Sequence, residues 1–148
     1  MTEKKIAVIH GPNLNMLGKR EPEIYGSLTL GEINAGLVKT GADAGFEVNV
    51  FQSNHEGAIV DKIQEYEHIC KGMIINPAAY THTSIAIRDA LLIFKAPVIE
   101  VHLSNIDKRE AFRHKSLIAD IAEGRIAGFG ALGYTIALKA LMQMLNNC

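Results

Sequence analysis

The chain has 148 residues, 48% of them hydrophobic, enough to bury a core and short enough that a single domain spanning 1–148 is expected. Fifteen Lys and Arg against sixteen Asp and Glu give a formal net charge of −1, which excludes the electrostatic footprint of a nucleic-acid binder or of a protein drawn to an anionic membrane. Cys70 and Cys148 are too few for a disulfide framework and the apolar run before His10 is too short for a signal peptide, so the expected location is the cytoplasm and the expected partners are small molecules or copies of the chain.

In chain order, short apolar runs at 6–9, 46–51, 73–75, 97–101 and 126–129 are too short for helices and mostly lack alternation, as in parallel strands covered on both faces. A polar loop punctuated by Pro and Gly, roughly eighteen residues long, separates the first run from the first helix. That helix starts at a capping box, Thr29-x-x-Glu32, continues through Leu30, Ile33 and Leu37, and can be closed by Gly45 in a left-handed conformation. Ser53-x-x-Glu56 has the same spacing ahead of Ile59, Ile63 and Tyr66 and predicts a second box. The run at 72–87 is the longest without charge, but it falls short of the about 18 residues a bilayer span needs and carries Asn76, Pro77, Thr81 and His82. A third helix is expected to start within 81–84 and bury Ile87, Leu91 and Phe94; a short helical turn follows Asn105, and Leu138, Leu141, Met142 and Leu145 mark the last helix. Five alternations of strand and helix predict an α/β fold: an open five-stranded parallel sheet of flavodoxin-like order 2-1-3-4-5 with helices on both faces.

In such a sheet ligands bind beyond the carboxyl ends of the strands. Three polar clusters fall there: the loop from His10 to Gly26, then 76–84, then 100–105. Singly, each residue has a plainer reading: His10, His82 and His102 as histidines satisfied at strand ends or caps, Asn13, Asn15 and Asn76 as turn closers, Tyr25 as a loop anchor, and Asp89, Arg109 and Arg113 as solvated charges. Their convergence favours a site. Glu100 and His102, two apart on one strand, point to the same face, and a carboxylate at the end of an apolar strand is costly without a partner. Glu100 accepting one ring N–H would fix the tautomer and leave the other nitrogen to act as a general acid. Arg20 precedes Tyr25 on the long loop; a phenol that normally titrates near 10 needs about 4 kcal/mol in favour of phenolate to work as a base near pH 7, and a nearby guanidinium supplies much of that. The loop would then act as a lid.

Five strings carry a resemblance: Gly11-Pro-Asn-Leu-Asn-Met-Leu-Gly18, Arg20-Glu-Pro-Glu-Ile-Tyr-Gly26, Gln52-Ser-Asn-His-Glu-Gly57, Ile75-Asn-Pro-Ala-Ala-Tyr-Thr-His-Thr-Ser84 with Ala86-Ile-Arg-Asp-Ala-Leu91, and His102-Leu-Ser-Asn105 with Phe112-Arg-His-Lys-Ser116. In order and spacing they resemble the type II 3-dehydroquinate dehydratases, over nearly the whole chain. The resemblance implies anti elimination of water from 3-dehydroquinate through an enolate, a shikimate-pathway step that uses no metal and no cofactor. It implies Tyr25 as proton acceptor, Arg20 lowering the Tyr25 pKa and stabilising the transition state, Asn13 holding a water at the enolate, and His102 as proton donor. It assigns Asn76, His82, Arg113, Leu103 and Ser104 to substrate, with Asp89 arriving from a neighbouring subunit, and a dodecamer built from trimers. Leu117 stands where the family pattern carries an aromatic.

Rival readings remain open at this point. One is a flavodoxin-like binding or signalling module without catalysis, although the first loop has Pro12, Asn13 and Leu14 where a phosphate cradle is rich in Gly, Ser or Thr. A Schiff-base route would use Lys19, and the same reaction could serve quinate breakdown.

Overall fold

The structure, a computed structural model, describes residues 4–19, 23 and 27–147. Among the described residues five strands, β1 (Lys4–His10), β2 (Phe46–Gln52), β3 (Gly72–Asn76), β4 (Val98–His102) and β5 (Gly124–Ala127), alternate with the helices α1 (Leu30–Asp43), α2 (Glu56–Glu67), α3 (Ile85–Ile93) and α4 (Leu132–Asn146). Every strand pair is parallel and the sheet order is β2-β1-β3-β4-β5, the flavodoxin-like arrangement expected. Helices lie on both faces, which is why the strands need no polar side. Ile6, Val8 and Ile74 pack with Leu30, Ile33 and Leu37 of α1 and with Leu138 and Leu141 of α4. The alternate positions Ala7, Ile9, Met73 and Ile75 pack with Ile59 and Ile63 of α2 and with Ile87 and Leu91 of α3.

The predicted start of α1 is present: Thr29 Oγ1 accepts the Glu32 N–H at 3.2 Å while Glu32 Oε1 accepts the Thr29 N–H at 3.2 Å, and Gly45 follows the helix with φ +87°. Two expectations need correction. Ser53 does not cap α2, whose N-cap is His55 without a side-chain bond; Ser53 Oγ accepts the His55 N–H at 2.9 Å, and Glu56 instead accepts the hydroxyl of Ser84, the N-cap of α3. A spacing that suits a capping box thus ties two helix starts together. The last strand spans Gly124–Ala127 rather than 126–129, because Gly128 (φ +95°) and Gly130 (φ +60°) turn the chain towards α4 and leave Phe129 exposed. Asn105 caps a single 3-10 turn, Ile106–Lys108, at the expected place. Among the described residues no helix is long and apolar enough to cross a membrane.

Strand register positions the polar residues. His10 pairs with Gln52 on one side and Asn76 on the other, Glu100 lies between Ile75 and Arg125, and His102 pairs with Ala127. The polar ends of β1, β3 and β4 therefore meet at one edge of the sheet.

Candidate active site

The loop after β1 is held down before it can offer anything to a ligand. Leu14 and Leu17 are buried in the core, and the Gly11 N–H donates to the Asn76 carbonyl at 2.8 Å. Gly11 approaches so closely that a Cβ there would sit 2.3 Å from Pro77 O. Asn13 has φ +70°, a left-handed conformation that asparagine tolerates, and its N–H donates to Asn54 Oδ1 at 3.0 Å. Gln52 Nε2 donates to that same Oδ1 at 3.1 Å and to the Gly11 carbonyl at 3.1 Å.

At the end of β3, Asn76 is 2% exposed, with Oδ1 accepting the Ala78 N–H at 3.0 Å and Nδ2 donating to Tyr134 Oη at 3.0 Å. The 3-10 turn Ala78–His82 follows. His82 Nδ1–H donates to the Lys115 carbonyl at 2.8 Å, which leaves Nε2 for a ligand. Burial pushes the His82 ring below its ordinary value; the Lys115 carbonyl opposes this, while His102 and Arg113 add to it.

At the end of β4 lies a buried ion-pair site. Glu100 is 0% exposed and His102 4%. Glu100 Oε2 accepts His102 Nε2–H at 2.5 Å and Thr81 Oγ1–H at 2.7 Å, Ser116 Oγ lies 3.0 and 2.9 Å from the two carboxylate oxygens, and Arg125 Nε lies 3.6 Å from Oε1. Burial alone would raise the Glu100 carboxyl, but its bonds to His102, Thr81 and Ser116 outweigh that and hold it below the ordinary range. The carboxylate takes the proton on Nε2, so Nδ1 is the nitrogen of His102 that can exchange a proton with a ligand. The His82 and His102 rings are 6.5 Å apart and nearly parallel, at 21°.

These three strand ends open into one cavity. Asn13, Leu14 and Leu17 line it from the first loop, Asn76 and His82 from the second, and His102, Leu103, Ser104, Ile106, Arg109 and Arg113 from the third. No carboxylate stands among the described lining residues, whereas two guanidiniums and two imidazoles do. Such a wall suits a small anionic ligand with several oxygens. Among the described residues, no group of three or more His, Cys, Asp or Glu is placed to hold a metal ion.

Residues 4–142 match the family described as dehydroquinase class II. The chain belongs to that family. It is 60% identical over 142 residues to the 3-dehydroquinate dehydratase of Geotalea daltonii, covering 96% of this chain and 99% of that one. Against the 3-dehydroquinate dehydratase of Roseiflexus castenholzii it is 57% identical over 138 residues, 93% of this chain and 88% of the other. The crystal structure of type II dehydroquinase from Butyrivibrio crossotus superposes with a TM-score of 0.92 at 46% identity, covering 95% of this chain and 99% of that one. A 3-dehydroquinate dehydratase-like protein from Bifidobacterium longum gives 0.72 at 32% identity, covering 96% and 98%.

Within this dehydroquinase fold, Asn13, Asn76, His82, His102, Leu103, Ser104 and Arg113 come together around the cavity, with Glu100 directly behind His102. Asp89 is not among the lining residues of its own chain. Arg20 and Tyr25 lie outside the described residues. Arg109, which sequence reasoning left as a solvated charge, lines the cavity with Nη1 3.5 Å from Ser104 Oγ. Tyr134, which carried no sequence signal of its own, reaches Asn76 from the last helix on the same face of the sheet.

Proposed function

We infer that this protein dehydrates 3-dehydroquinate to 3-dehydroshikimate, the shikimate-pathway step that leads toward aromatic amino acids. Membership of the class II dehydroquinase family supports the reaction. The observation that carries the chemistry is the buried Glu100–His102 pair opening into a cavity lined by cationic and neutral groups.

In the proposed mechanism Tyr25, as phenolate, removes the proton next to the ketone, and Arg20 lowers its pKa and supports the developing charge. Asn13 holds a water at the enolate oxygen. His102 then gives its Nδ1 proton to the departing hydroxyl, and Glu100 keeps the ring in the orientation and charge state that allow it. Asn76, His82 and Arg113 meet substrate hydroxyls, and the substrate carboxylate meets the N–H groups of Leu103 and Ser104 and the Ser104 hydroxyl. The reaction needs neither metal nor organic cofactor. A cytoplasmic dodecamer built from trimers is the proposed assembly, with Asp89 reaching a neighbour's cavity; the exposed apolar side chains Ile85, Leu92 and Ile93 on the same helix support a role for α3 in assembly.

The decisive experiment adds 3-dehydroquinate to the purified protein and follows the ultraviolet band of the conjugated enone. Turnover unaffected by a chelator is expected; no band from folded protein would overturn the reading. Tyr25→Phe is expected to abolish turnover with substrate binding largely kept, and loss of binding alone would return Tyr25 to a structural role.

A further inference from the structure

Behind Asn76 lies a buried polar cluster that the mechanism does not use. His10 and Tyr134 are both 0% exposed, on the face of the sheet covered by α1 and α4, and buried polar groups are costly unless fully bonded. Their bonds run in a line. Asn76 Nδ2 donates to Tyr134 Oη at 3.0 Å, Tyr134 Oη lies 2.8 Å from His10 Nδ1, and His10 Nε2 lies 2.7 Å from Asn34 Oδ1 on α1.

The direction of each bond follows from its neighbour. Asn34 Oδ1 can only accept, so the His10 proton sits on Nε2 and Nδ1 is an acceptor. The Tyr134 hydroxyl must then donate to Nδ1, leaving its oxygen to accept from Asn76. At the other end of the same carboxamide, Oδ1 already accepts the Ala78 N–H at 3.0 Å. Turning the amide over would set Oδ1 against an oxygen with no proton to give and Nδ2 against an N–H. Both contacts would be lost.

We propose that Asn34, His10 and Tyr134 are positioning residues that lock the Asn76 carboxamide in one orientation, so that its second Nδ2 proton is presented to an acceptor oxygen of the ligand. This rests on the reading that the cavity binds 3-dehydroquinate. The relay acts on binding: an inverted His10 tautomer would send the phenol proton toward Asn76 and favour the amide orientation that offers oxygen instead. The register of β1 with β3, which sets His10 beside Asn76, is what makes the line possible.

Two measurements test it. Nitrogen-15 NMR of the imidazoles in the unmodified protein at neutral pH should show His10 neutral with its proton on Nε2 and a hydrogen-bonded, unprotonated Nδ1; a proton on Nδ1 overturns the relay whatever the protein catalyses, and this arm needs no variant. In the kinetic arm, Tyr134→Phe keeps the ring and removes one hydroxyl. It should raise KM for 3-dehydroquinate about ten-fold, the size of one lost oriented hydrogen bond, with kcat nearly unchanged. Asn76→Ala should do at least as much, and adding Tyr134→Phe to it should change nothing further. Effects that multiply, or a KM unchanged in Tyr134→Phe, overturn the proposal. Absence of turnover in the unmodified protein would instead sink the reaction assigned above, and the NMR arm would still decide the relay.

Discussion

Two histidines stand at the carboxyl end of the sheet on opposite faces and in opposite company. His10, on the side of α1 and α4, bonds through its ring to neutral partners: an amide oxygen and a phenol. His102, on the side of α2 and α3, faces a carboxylate that is itself held by two hydroxyls and approached by a guanidinium. Burial therefore drives His10 toward the neutral form, down to about 4 against the pull of Asn34, and burial raises the Tyr134 phenol as well. The same residue type at the same level of the same sheet is made inert on one face and provided with a counter-charge on the other. Burial removes charge unless a partner is built in with it, and only the His102 side has a carboxylate for a partner.

The comparison can be broken most severely at His102. His102→Ala should lower kcat by about 10²–10⁴-fold, the usual range for a general acid, whereas changes on the His10 face should appear mainly in KM. A comparable fall in kcat from Tyr134→Phe would erase the distinction between the faces.

The next largest effect is on stability against pH. His10 has a folded pKa of about 4, below its unfolded value of about 6.5, so between those values the unfolded chain binds the extra proton and stability falls as pH is lowered. The full loss is about 3 kcal/mol, reached below pH 4, and none of it is present above about pH 7. Glu100 works in a lower window: its carboxyl is depressed, so its stabilisation is present above the ordinary carboxylate pKa and disappears as pH falls through the folded value. Denaturant melts from about pH 7 to about pH 4 should show the first slope, and His10→Gln should flatten it. A slope unchanged in that variant would show that His10 is not the group responsible.

Smaller effects separate charged from neutral hydrogen bonds. Thr81→Val removes a donor from buried Glu100 and should cost about 1.5–3 kcal/mol. Asn34→Ala removes a neutral partner of His10 and should cost about 1 kcal/mol. Chemical denaturation reads both, and equal costs would mean that the charge on Glu100 contributes little to its bond with Thr81.

The elements were legible because their signals are local. Continuous apolar runs of strand length, the Thr29–Glu32 box and the left-handed Gly45 depend on neighbours a few residues away, and the structure bears them out. The Glu100–His102 pairing was legible for the same reason, since strand alternation puts residues two apart on one face. The Ser53–Glu56 spacing misled because a local pattern does not show which distant hydroxyl competes for a carboxylate, and Ser84 does. The end of β5 was misplaced because Phe129 has strand character in isolation while two glycines nearby redirect the backbone.

By itself, then, the sequence determined the alternation of strands and helices, the side of the sheet on which chemistry could occur, and the identity of the polar residues at the strand ends. Only the tertiary structure decided which of those residues share a wall, that Arg109 joins it, and that burial silences His10 while Tyr134, 124 positions away in the chain, bonds its ring. Pattern along a chain encodes period and propensity, whereas charge state depends on burial and on the partner opposite. Both of those arise when distant segments pack.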